Sequence, residues 1–99
     1  MDAGNLTPEL VQSFAHNRIS LSINENLALD MMLKQLHIGV PSPHLPRTPF
    51  TIVLVSKGVF MVYPQHMYTI EWEGLGQFDL FLVPVGPDQE GMQYEAVFG

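Results

Sequence analysis

The sequence predicts a mainly β protein: a small antiparallel barrel or strongly bent sheet of about six strands, preceded by a short N-terminal helix. Three observations lead to that class. From residue 18 onward, apolar and polar residues repeatedly alternate with the two-residue period of a half-buried strand. Glycine, proline or asparagine stands at nearly every junction between the alternating runs. Ninety-nine residues, almost half of them hydrophobic and only 14% charged, are enough for one core and too few for two. Residues 1–99 are therefore expected to form a single domain.

The helix comes first. Thr7 can cap it, Pro8 suits its first position, Glu9 complements the dipole, and Leu10, Val11 and Phe14 share a face, so the spacing predicts a helix over 8–15. A helix that short needs a surface to dock on, and one opening of a sheet would serve. Ile19, Leu21 and Ile23 alternate with Arg18, Ser20 and Ser22, predicting a strand that ends at the turn Asn24-Glu25-Asn26. Leu27, Leu29, Met31 and Leu33 resume the alternation and predict the second arm of a hairpin, reaching about His37. Leu29, Met32, Leu33 and Leu36 also fit a helix; the strand is the reading adopted.

Residues 39–49 contain Gly39, Pro41, Pro43, Pro46 and Pro49, a density that forbids helix and ladder alike and predicts an extended surface loop. Strands follow at Phe50–Val55, Met67–Trp72, Gln77–Val85 and Met92–Phe98, with a short edge strand expected at Val59–Tyr63. Tyr68, Ile70 and Trp72 alternate cleanly with Thr69, Glu71 and Glu73, so one face should be in the core and the other in water. The run Phe78 to Val85 is apolar on both faces. If Phe78, Leu80 and Leu82 point inward, Phe81 and Val83 form an outward contact surface, unless the N-terminal helix covers them.

Composition narrows the function classes. Without cysteine there is no disulfide, thiolate metal site or cysteine nucleophile. The net charge is −6 and the four cations, Arg18, Lys34, Arg47 and Lys57, are scattered, so there is no basic footprint for nucleic acid or an anionic membrane. The start, from Met1 to Asn5, lacks the basic and apolar character of a signal peptide, and no run is long enough to span a bilayer, so a cytoplasmic protein is expected.

No residues stand in a pattern that predicts catalysis. His16, His37, His44 and His66 have no helical pairing for a metal, and Ser13, Ser20, Ser22, Ser42 and Ser56 lie in no nucleophile elbow. Glu71 and Glu73 share a strand face that Glu95 could approach across the sheet, while Asp30 and Asp79 supply further carboxylates; a solvated acidic face accounts for them. Gly74 and Gly76 sit between strands, outside the strand-to-helix context of a phosphate loop. Asp88-Gln89-Glu90 offers oxygen ligands, but in neither the length nor the order of a calcium loop. No cofactor is expected, and no enzyme activity.

The C-terminal half carries Pro49-Phe50, Pro64-Gln65, Tyr68-Thr69-Ile70-Glu71, Leu75-Gly76, Phe81-Leu82-Val83-Pro84-Val85-Gly86 and a closing Tyr94-Glu95-Ala96-Val97-Phe98; Leu6-Thr7 precedes the helix. In these residues the chain resembles a family of small bacterial proteins of about this length, catalogued as a domain of unknown function. Residues 24–48 are the least family-like part. The resemblance implies an association with phage-tail-collar-like proteins, the group called microcystin-dependent proteins, and it implies no active site. Its repeated positions have structural explanations: turns at Gly76 and Gly86, an edge or bulge at Pro84, and core aromatics at Phe81, Tyr94 and Phe98.

Together these readings predict a non-enzymatic assembly, accessory or structural protein of a phage-tail-like or surface-appendage system. It would act through contacts with a protein partner or with itself, using Phe81 and Val83 and the loop 39–49. The alternative is a small-molecule-binding barrel lined by residues such as Phe50, Tyr68, Trp72 and Phe81.

Overall fold

The computed structural model describes residues 2–99; Met1 lies outside the described residues. A 3-10 turn at Ala3–Asn5 leads into helix α1 (Pro8–Ser13). The strands are β1 (Ile19–Asn24), β2 (Leu27–Ile38), β3 (Phe50–Lys57), β4 (His66–Trp72), β5 (Gly76–Pro87) and β6 (Gly91–Phe98). They close into a six-stranded antiparallel barrel in the order β1-β2-β3-β6-β5-β4, with β4 returning to pair with β1. Closure leaves no sheet edge to be shielded from other chains. The mainly β class, the strand count and the helical start are thus as the sequence predicts, and the barrel is the form taken.

Alternation sets which face is inside. Ile19 and Leu21 of β1, Tyr68, Ile70 and Trp72 of β4, and Phe78, Leu80 and Leu82 of β5 are all buried, while Glu71 and Asp79 point to water. The ambiguous stretch is a strand, and a bulge explains its mixed period. Leu33 pairs with Leu54 and Gln35 with Val53, leaving Lys34 as the extra residue. The inward parity therefore switches from Leu29, Met31 and Leu33 to Leu36, and a strand with one switch imitates helical spacing. A second bulge lies between Pro84 and Gly86, where Val85 is the extra residue. It meets the expectation for Pro84, whereas Gly86, expected in a turn, lies inside β5 at this bulge, with φ +118°, a conformation open to glycine.

Two other expectations change. The helix ends at Ser13, followed by turn residues, and so stops short of residue 15. Val59–Tyr63 is not a strand. In a closed barrel β3 is already paired on both sides, with β2 and β6, so this segment has no edge to join.

The two ends of the barrel are closed by different means. At the end where β4 turns into β5, residues 3–14 form a plug: Leu6 and Val11 are fully buried, and the Trp72 indole donates to the Phe14 carbonyl at 2.9 Å. Thr7 caps α1, accepting from the Leu10 amide at 3.2 Å. The proline-rich loop contributes Arg47, whose guanidinium donates to the carbonyls of Gly4, Leu6 and Gly99 at 3.1, 2.8 and 3.1 Å. The same group lies 5.5 Å from the centre of Phe50 and 5.9 Å from that of Phe98, two rings stacked 4.5 Å apart. Loop 39–49 is irregular, as its prolines require, and is tied at its ends by the Gly39 amide donating to the Pro49 carbonyl.

Candidate functional site

The outer wall of β5 is where the sequence places a contact surface, and the structure separates the two residues proposed for it. Phe81 points outward and is 49% exposed, so it is not a core aromatic and does not line the interior. On β4 its partner is Met67, 54% exposed. The register that pairs Val83 with Glu95 sets Phe81 beside Val97 of β6, 71% exposed. Met67, Phe81 and Val97 therefore form an apolar row across three adjacent strands, something no single strand's sequence displays. The row borders a shallow cavity of about 240 Å³, flanked by Ala3, Gly4 and Arg47.

Val83 is half-buried and lies beside Glu95, at the polar margin of this row. On the other side the row ends at Asp79, whose carboxylate accepts from the Thr69 hydroxyl at 2.9 Å. The N-terminal helix does not cover Phe81. It packs toward β2 at the end of the barrel, and the 3-10 turn reaches β5 only beside the row.

The interior holds the chain's own side chains. Phe50, Tyr68 and Trp72, three of the four residues of the ligand-binding alternative, are packed in one buried cluster with Tyr94, Phe78 and Leu82. The fourth, Phe81, is outside.

The polar candidates scatter around the wall. Glu95 does not approach Glu71: β5 stands between their strands, and Glu95 lies between Val53 and Val83. What the ladder does bring together is Asp30, Ser20 and Glu71, side by side on β2, β1 and β4. With Arg18 and Glu73 they line a shallow cavity of about 370 Å³ with no histidine in it. The pairing of β1 with β4, distant in sequence, creates this group, so only the closed topology reveals it. His16 and His44 lie in irregular segments, His37 faces Thr51 in the β2–β3 ladder, and His66 opens β4 with its ring edge-on to Tyr68. Among the described residues no three His, Asp or Glu side chains converge as metal ligands, and no helix is long and apolar enough to cross a membrane.

The acidic hairpin tip between β5 and β6 binds its own backbone. The Asp88 carboxylate accepts from the amides of Glu90 and Gly91 and pairs with Lys34, the bulged residue of β2. The Lys34 hydrogen bond, more than the backbone amides, holds the Asp88 carboxyl below its usual range.

A family model described as a domain of unknown function, DUF6916, matches residues 6–98, from the first fully buried residue of the plug to the end of β6. The chain belongs to that family. No curated protein and no solved structure matches it. The DUF6916 match takes in the plug from Leu6 onward, all six strands and the proline-rich loop, so Arg47 and the loop lie within the matched unit.

Proposed function

We propose that this DUF6916 protein is a non-enzymatic assembly or accessory protein that works through protein–protein contacts on the outer wall of β5. We place it in a phage-tail-like or surface-appendage system, the first of these being what the resemblance of its sequence implies. The observation that carries the reading is the row Met67–Phe81–Val97, three large apolar side chains each about half exposed or more on neighbouring strands. Apolar side chains grouped on neighbouring strands between the polar margins Asp79 and Glu95, beside a shallow cavity, are what the centre of a contact patch requires. Phe81 is its centre and Val83 its rim. The partner is a protein, and with a net charge of −6 and no cationic cluster the chain is not matched to nucleic acid or an anionic membrane.

The test is recovery of partners by the tagged protein and by Phe81→Asp from the native cell, with thermal melts of both. The expected result is a stoichiometric structural or tail-collar-like partner with the unaltered protein, lost in the variant while its melting temperature stays within about 2 °C. Recovery of the bare protein, or unfolding of Phe81→Asp, would overturn the reading.

A further inference from the structure

We infer that Phe60–Pro64 is a hinged strap across one mouth of the barrel, latched at its far end by two tyrosine hydroxyls and held by no hydrogen bond in the middle. The path follows from topology. The segment joins the end of β3 to the start of β4, and these strands stand on opposite sides of the closed six-strand ring. The side chains it meets, Tyr68 and Tyr94, belong to the inward-facing set, so the strap lies over the opening and not against the wall.

Its near end is firm. Ser56, buried, donates its hydroxyl to the Val59 carbonyl at 2.8 Å; that carbonyl also accepts from the Met92 amide at 3.1 Å, and the Val59 amide donates to Ser56. The far end is held by side chains instead: the Tyr63 amide donates to the Tyr94 hydroxyl at 3.1 Å, and the Tyr68 hydroxyl donates to the Pro64 carbonyl at 2.5 Å. Between them Phe60, Met61 and Val62 make no hydrogen bond to any described residue and are 53%, 66% and 56% exposed. Val59 and Tyr63 turn inward onto the core.

An exposed segment fixed by ladder-like bonds at one end and by two hydroxyls at the other opens from the weaker end. Opening breaks no strand pairing. The core beneath is filled, so the movement exchanges surfaces: the apolar tip Phe60-Met61-Val62 swings away with Tyr63, and the mouth lined by Tyr68, Tyr94 and His66 is uncovered. This device is independent of the Phe81 face.

Residue-resolved hydrogen exchange on the full chain tests it. In the unaltered protein the amides of Phe60, Met61 and Val62 should exchange at nearly unprotected rates, and that of Tyr63 more slowly by about five- to tenfold. Tyr94→Phe should remove the Tyr63 protection while Ile52 and Leu54 of β3 keep theirs. Tyr68→Phe, which deletes the other latch and keeps the ring, should speed Tyr63 exchange in the same way and serves if Tyr94→Phe does not fold. Protection of residues 60–62 equal to that of the ladder would overturn the strap, as would an unchanged Tyr63 in whichever latch variant folds, or loosening that spreads to Ile52 and Leu54.

Discussion

The plugged end and the strapped end of this barrel solve one problem, covering the opening of a filled core, with different materials. At the plugged end the chain inserts whole side chains: Leu6 and Val11 are buried completely, and Arg47 ties three carbonyls from the two ends of the described chain while lying against the stacked Phe50 and Phe98 rings. At the strapped end only Val59 and Tyr63 turn inward, and two hydroxyls do the fastening. Burial of large apolar groups is strong and cooperative with the rest of the core. A single neutral hydrogen bond contributes only about 1 kcal/mol in net terms, because unfolding exchanges it for bonds to water. One end should therefore melt only with the barrel, and the other should loosen beforehand.

The largest test of that contrast is Leu6→Ala. It empties a fully buried position in the plug and should cost about 2–5 kcal/mol, read from the urea midpoint with the slope unchanged. If the loss is under about 1 kcal/mol, the plug is not part of the cooperative unit. Arg47→Ala comes next, with an expected loss of about 2 kcal/mol from its carbonyl bonds and its ring contacts. Arg47→Lys should recover less than half, since a single ammonium cannot span three carbonyls from separate segments.

Alkaline pH sharpens the comparison from the strapped side. Burial, with smaller contributions from Tyr94 and Tyr63, raises the Tyr68 phenol above its ordinary value near 10. The folded state thus holds this proton more tightly than the unfolded state. Its stabilising contribution is complete below pH 10 and is lost as the pH climbs from there through the raised value, when ionisation also removes the donor to Pro64. Stability followed from pH 9 upward should fall more steeply in the unaltered protein than in Tyr68→Phe; parallel curves would remove Tyr68 from the latch. The smallest effect belongs to the middle of the strap, where Phe60→Ser or Met61→Ser should change stability by no more than about 0.5 kcal/mol. A larger loss would mean that the tip packs on the barrel and the two ends are alike.

The legible parts of the molecule were those governed by neighbours in the chain. Alternation in Tyr68–Glu73 and Phe78–Leu82 assigns each side chain to a face because successive strand residues must point opposite ways. Pro84 marks a bulge because proline cannot give its amide to a continuous ladder. The site was half legible. That Phe81 faces outward follows from its own strand; that Met67 and Val97 flank it depends on which strands lie beside β5 and in what register.

Read alone, then, the sequence determined that the protein is mainly β, where most of its turns fall, which faces are apolar, and that cysteine chemistry and a basic surface are absent. Only the tertiary structure decided that β1 meets β4 to close the ring, that Asp30 and Glu71 flank Ser20 while Glu95 stays apart, and that Val59–Tyr63 becomes a strap for want of an edge. It also decided the role of Arg47, which binds residues 43, 41 and 52 positions away. The physical reason is one of range. Periodicity and turn chemistry act over a few residues and are written in the order of the chain, whereas closure, cross-strand neighbours and end caps arise from pairings whose energies depend on the whole barrel being formed.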